Sequence, residues 1–259
     1  TPPEITETAE TPEIPEAPTE TADTTQLTAA VNEALEAGNF EAAETLLTEA
    51  AETGAYPEDA LHQLRAETAV QHISNDEEMQ SKITAVGKGL AVLQKAQEAG
   101  VINEDWWEDG HIQEILYCAF FTMDAPSYRQ MEAHDEVEVD MEEARILIEE
   151  VAGLEFVPEN LPSAPISGEG GGHAYYSGGK LYATWGHTGG GSAGIYKGVQ
   201  YDAASGEIRV SGIDDEGYSE GGYATPFTMT MAPADNPFGV TVTGVEVGEG
   251  YEYGPGEEP

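Results

Sequence analysis

The string Gly190-Gly191-Ser192-Ala193-Gly194 fits G-x-S-x-G, a pattern that presents a serine nucleophile when it occupies a strained turn between a strand and a helix. Such a turn needs a helix to follow. Gly194–Tyr201 instead alternates like a strand, so hydrolysis by Ser192, with His173 or His187 nearby as a base, ranks last among the readings. The glycine runs Gly168–Gly172 and Gly186–Gly194 likewise lead into no helix, and Lys180 lacks the spacing and the following hydroxyl of a phosphate-cradling loop. Oxygen ligands gather in Gly212–Gly222, read as a loop, where Asp214, Asp215, Glu216 and Glu220 could hold calcium without the spacing of an EF-hand. No other cofactor is expected. The histidines show no paired spacing, and the single cysteine, Cys118, can form neither a thiolate zinc site nor an internal disulfide. It lies in the apolar run Ile115–Phe121, which predicts a buried, inert thiol. Rings are the remaining candidates. Trp185 with Tyr182, Tyr196 and Tyr223 could make an aromatic sheet face of the kind that binds sugars, although rings on small sheets ordinarily pack. Trp106 and Trp107, among four acids near a helix start, place one indole in the core and the other closer to the surface.

The elements that would position these groups divide the chain. Residues 1–26 carry five prolines, seven acids and no Lys or Arg, which predicts an extended, disordered tether. From 27 to 157 the apolar period is helical. Leu27, Val31 and Leu35 mark one helix, Ala43, Leu47 and Ala50 a second, and Leu61, Leu64 and Ala69 a third that starts after Pro57. Met79, Ile83, Val86, Leu90 and Leu93 mark a fourth; Gly87 and Gly89 within it each cost about 1 kcal/mol in propensity, which close packing against a neighbour would offset. A fifth helix is expected from Glu104 to Met123, a short sixth at Ser127–His134, and a last one through Met141–Val151.

A linker is expected at 158–172, beginning with the Pro-rich Pro158–Pro165, and there the composition changes: 23 of the 30 glycines and 9 of the 12 tyrosines follow. From 173 to 250 the period is two. Asp202–Gly206 reads as a hairpin loop, Lys197 interrupts the face shared by Ile195, Val199 and Tyr201, and a bulge at Thr243-Gly244 would bring Val240, Val242, Val245 and Val247 to one face. Residues 251–259 are expected to fray. The fold class is therefore α+β in two domains, an antiparallel helical bundle or short solenoid followed by a small antiparallel sheet or open barrel.

Fifty acidic against nine basic side chains give a net charge of −41 on 259 residues, which excludes nucleic acid and anionic lipid as natural partners. No run approaches the roughly 18 apolar residues of a membrane span.

Ala37-Gly38-Asn39-Phe40-Glu41-Ala42-Ala43, followed by Leu46, Leu47 and Ala50, resembles the turn and second helix of a tetratricopeptide unit. The Thr/Pro/Glu tether, the strand Tyr182–Gly186 and the ending Asn236-Pro237-Phe238 … Val242–Gly250 resemble the acidic surface lipoproteins of Gram-positive gut bacteria. That resemblance implies an extracytoplasmic, surface-anchored protein whose anchor lies upstream, and it implies no activity. The leading expectation is a non-enzymatic binding or scaffold protein of the envelope that recognises a protein or peptide partner. A glycan-binding module is the runner-up and a cell-envelope hydrolase the third reading.

Overall fold

The computed structural model describes residues 24–100, 110–120, 136–164, 173–184, 190–218 and 221–259. Five helices come first: α1 (Thr24–Glu36), α2 (Phe40–Thr53), α3 (Glu58–Asn75), α4 (Glu77–Ala99) and α5 (Gly110–Phe120). Strand β1 (Glu136–Val139) and helix α6 (Met141–Arg145), which widens into a π-helical segment at Ile146–Val151, lead into seven further strands. These are β2 (His173–Ser177), β3 (Lys180–Thr184), β4 (Gly190–Asp202), β5 (Glu207–Tyr218), β6 (Gly221–Pro233), β7 (Val240–Val247) and β8 (Tyr251–Tyr253). The layout is the expected α+β, helices ahead of antiparallel strands.

Local chemistry sets the helix ends. Asn39 accepts a hydrogen bond from the Ala42 amide at 3.1 Å to start α2, and Asp76 accepts one from Met79 at 3.0 Å to start α4. Gly54 and Gly100, both left-handed, end those two helices. Helices α1 and α2 form a hairpin turning at Ala37–Asn39, with a small core of Leu27, Val31, Ala43, Leu47, Leu61 and Leu64 shared with α3. This hairpin does not by itself establish a tetratricopeptide repeat. Because α1 begins at Thr24, Thr24, Thr25 and Gln26 are helical rather than part of a tether.

The strands form two sheets, a three-stranded one in the order β1-β3-β2 and a five-stranded one in the order β4-β5-β6-β7, with β8 also paired to β6. Strand β1 corrects the expectation of an all-helical segment to 157. Its sequence Glu-Val-Glu-Val alternates acid and β-branched residue, a pattern that suits a strand and offers a helix no continuous face. In β4 the register shifts between Tyr196 and Gly198, which leaves Lys197 exposed while Tyr196, Val199 and Tyr201 pack on the core. In β7 the shift falls at Thr243, as expected, and Val242, Val245 and Val247 all reach the core side. The end of the chain is not frayed: β8 pairs with Gly222–Ala224, and the Tyr253 hydroxyl donates to Asp215 at 2.5 Å.

The packing does not follow the change of composition. One buried cluster runs from Ala66 and Ile73 on α3, through α4, α5 and the π-helical segment, to Leu181 on β3, Val210 on β5, Met229 on β6 and Val240 on β7. Helix α4 is its centre and is buried from Lys82 to Ala91 on every side. A Cβ on Gly87 would meet the Phe227 ring at 2.2 Å, and one on Gly89 would meet Ile115 at 2.3 Å. The first glycine lets α4 lie on the five-stranded sheet, and the second lets α5 cross it. Helix α5 in turn packs against β2 and β3. The expected division into a helical domain at 27–157 and a β domain at 173–250 is thus corrected: helices and sheets share one interior. Even the start of the expected linker is packed, with Leu161 buried and the Tyr176 amide bonded to Pro162 O at 2.8 Å.

Candidate functional site

Two concentrations of polar chemistry stand out among the described residues. The first is an open cleft of about 790 Å³ between the α1–α2 turn, α2, the end of α3 and the turn joining β6 to β7. Its floor is a stacked ring pair, Phe40 over His72, with centroids 4.3 Å apart and planes within 11°. Phe40 opens α2 directly after the Asn39 cap, so the hairpin turn delivers the ring to the cleft. Six carboxylates line the walls: Glu41, Glu44, Glu49 and Glu52 from α2, Asp76 from the α3–α4 junction and Asp235 from the β6–β7 turn. No Lys or Arg is among the lining residues.

Electrostatics within the cleft are uneven. Burial pushes the Glu44 carboxyl up to about 7, with Arg65 opposing the rise and Asp235 adding to it. Burial also lowers the pKa of His72, against the pull of Asp76 at 3.6 Å, which favours the neutral ring at physiological pH. Asp235 accepts hydrogen bonds from Thr48 at 2.8 Å and from Arg65 at 3.3 Å, and so joins the β6–β7 turn to α2 and α3.

The second concentration lies inside the fold. Lys88 on α4, 1% exposed, pairs with Glu114 on α5, sits 3.5 Å from the Cys118 sulfur and faces Asp214 on β5 at 3.9 Å. Lys95 reaches Asp214 at 3.5 Å and the Thr225 hydroxyl at 2.9 Å. Burial works against the Lys88 charge, yet the carboxylates of Glu114 and Asp214 hold its pKa above the ordinary lysine value. A lysine so held is a poor nucleophile. This network joins α4 to α5, β5 and β6.

Compared with known proteins, the chain matches no protein family, no curated protein and no solved structure.

The sequence-derived candidates do not assemble. Asp214, Asp215 and Glu216 lie on strand β5 and not in a loop, so successive side chains point to opposite faces. Asp214 is buried against Lys88 and Lys95, Asp215 accepts from Tyr253, Glu216 is exposed, and Glu220 lies outside the described residues. The calcium site read from Gly212–Gly222 is corrected accordingly; among the described residues no group of His, Cys, Asp or Glu is arranged to hold a metal. Tyr182 stacks on Tyr175 across β3 and β2, with centroids 4.9 Å apart. Tyr196 packs on the core from the other sheet, and Tyr223, 42% exposed, stands on β6. Tyr182 lies on the three-stranded sheet, apart from the other two; Tyr196 and Tyr223 have the same face of the five-stranded sheet but stand two strands and four register positions apart. Trp185 lies outside the described residues, as do Trp106, Trp107, His187 and the helix expected at Ser127–His134. Ser192 sits within β4, paired in register with Glu216, and not on a turn before a helix. The glycine that completes its motif has a packing reason, since a Cβ on Gly194 would meet Thr84 of α4 at 2.9 Å.

Sequence reading missed Glu44, His72 and Asp235 as cleft residues and Lys88 as a buried charge. For Lys88 a signal existed: a lone lysine within Ala85-Val86-Gly87-Lys88-Gly89-Leu90-Ala91, where both glycines already demand close neighbours.

Proposed function

We propose that this protein is a non-catalytic binding or scaffold protein, tethered at the surface of a bacterial cell envelope, which recognises a protein or peptide partner by a basic segment laid in the α2–α3 cleft. The observation that carries the proposal is the cleft itself, a concave site with six lining carboxylates and an aromatic floor. Low-dielectric walls of one charge focus the field and concentrate ligands of the opposite sign. A ring face adds attraction for a Lys or Arg head group, about 0.5–1 kcal/mol where solvent reaches it. The tether reading rests on the acidic, proline-rich residues 1–23. Among the described residues, no helix is long and apolar enough to cross a membrane.

Fluorescence anisotropy of labelled peptide pools with the full chain tests the reading. A Lys/Arg-rich pool should bind saturably, lose affinity as salt rises, and bind about tenfold more weakly (about 1.4 kcal/mol) to an E41Q/E49Q/E52Q variant. An acidic pool should not bind. Equal binding of both pools, or saturable glycan binding that the triple variant leaves unchanged, would overturn it.

A further inference from the structure

The β6–β7 turn is closed by its own bonds. The Gly239 amide donates to Asn236 O at 2.8 Å, the Ala234 amide to Gly239 O at 2.9 Å, and the Asn236 side chain to Val240 O at 3.0 Å. Phe238, 6% exposed, anchors one side of the turn in the main core. The other side meets the helices through Asp235, held by Thr48 and Arg65. Glu44 lies beneath it: a Cβ on Gly239, whose φ is +67°, would stand 2.9 Å from the Glu44 carboxyl oxygen. The carboxyl is thus pressed against turn backbone, one helical turn before Thr48.

The charge balance there is tight. Among the described residues Arg65 is the cation that acts on Glu44, and it also pairs with Asp235. The other titratable groups sharing the cleft are Glu41, Glu49 and Glu52 on the same helix, His72 from α3, Asp76 from the α3–α4 junction and Asp235 from the turn. With Glu44 neutral, Arg65 and Asp235 cancel. With Glu44 ionised, a partly buried excess of negative charge sits under the turn, next to the carboxylate that holds the turn down.

We infer that Glu44 is a proton-operated latch on this cleft: while its carboxyl is neutral the β6–β7 turn stays docked on α2 and α3, and ionisation releases the turn about Phe238 and widens the cleft. A free glutamate titrates near 4.5 and the docked one near 7, so docking weakens as pH rises through that interval, by about 5- to 30-fold once partial solvation of the cleft is allowed for. The consequence for partner binding rests on reading the cleft as a binding site; the latch itself does not.

Hydrogen–deuterium exchange of the full chain, corrected for intrinsic rates and followed over residues 234–240 from pH 5 to 8.5, tests it without any ligand. Protection of the turn should fall at least about fivefold as pH rises in the wild type, stay high and flat in E44Q, and follow the wild type in E41Q. A flat wild-type profile, or an E44Q variant that tracks the wild type, overturns the latch. Should E44Q fail to fold, D235N serves instead: removing the neighbouring carboxylate should move the midpoint of the wild-type transition to lower pH, and an unmoved midpoint overturns the latch. Basic-peptide binding at pH 5.5 and 8 separates the two claims. A pH-dependent turn in a protein that binds no basic peptide leaves the latch standing and removes the binding reading. A pH-independent turn in a protein that does bind does the reverse.

Discussion

Lys88 on α4 and Asp214 on β5 face each other at 3.9 Å across the joint between the helices and the five-stranded sheet, 1% and 3% exposed. Lys95, two turns along the same face of α4, shares Asp214 and reaches on to Thr225 of β6, while Lys88 also holds Glu114 of α5. One face of a helix therefore ties three other elements through charge. Desolvating such ions costs several kcal/mol each and their attraction offsets this only when every partner is in place. The network accordingly acts on where α4 sits more than on how stable the fold is.

Replacing Lys88 by Met should destabilise the protein by about 3–5 kcal/mol, because Glu114 loses its cation and Asp214 loses one of the two lysines that face it. Urea denaturation measures this. K88M/E114Q, which removes an acid with the base, should recover part of the loss. A K88M midpoint equal to the wild type would show that the pair is not buried in solution.

Gly87→Ala should destabilise, although Ala is favoured over Gly by about 1 kcal/mol inside a helix. The new methyl would stand 2.2 Å from Phe227, whose ring is also enclosed by Gly212 on the far side, so the ring cannot retreat without moving β5. Overpacking of this kind costs about 1–3 kcal/mol, which exceeds the propensity gain. The same substitution made together with Phe227→Leu should be less harmful than the sum of the two changes; additive effects in a double-mutant cycle would refute the contact.

These glycines were legible before any coordinates, since Gly87 and Gly89 inside an apolar helix demand a close neighbour, and so was the Thr243 bulge, which only had to reconcile two pairs of valines. Local periodicity contains both facts. Lys88 was less legible because a helical wheel assigns one apolar face, whereas α4 is covered on all sides by elements distant in sequence. Glu44 was not legible at all. Its surroundings come from a turn whose Asp235 is 187 positions away from Thr48, the next turn of the same helix, and nothing local separates it from 49 other acids. The composition change near 158 misled for a related reason: it reports a switch from helix to strand and carries no information on which surfaces cover which.

Cys118 should resist alkylation. Burial pushes its thiol up to about 12, with the nearby Lys88 opposing, so the reactive thiolate is about 10⁻⁴ of the population at pH 8. Cys118 is part-buried, and iodoacetamide should label it in the native protein far more slowly than an ordinary thiol, with urea restoring an ordinary rate. Rapid labelling of the native chain at pH 8 would place the sulfur at the surface.

The net charge of −41 should make the melting temperature rise with salt. The Debye length falls from about 10 Å at 0.1 M to about 3 Å at 1 M, which screens repulsion among exposed acids more than it weakens buried pairs such as Lys88 and Glu114. Calorimetry in sodium chloride measures the trend, and a flat or falling melting temperature would mean that repulsion is not limiting. Millimolar calcium should act in the same direction.

Glu44 adds a pH dependence of opposite sign to that of an ordinary ion-paired carboxylate. Its folded pKa, about 7, lies above the ordinary value of 4.5, so between the two the native state holds a proton that the unfolded chain has released. The stability this brings is fully present below 4.5 and is lost as pH rises through 7. Each pH unit of that interval is worth at most about 1.4 kcal/mol, and partial solvation of the cleft reduces the total to about 1–2 kcal/mol. Gln at this position carries no charge to expose, so E44Q should match the wild type near pH 4.5 and exceed it by about 1–2 kcal/mol at pH 8. Screening by the whole acidic surface acts on both proteins alike and cancels in the difference. Urea midpoints that differ by the same amount at both pH values would mean that the Glu44 carboxyl is solvated in the native protein, and that the β6–β7 turn does not press on it.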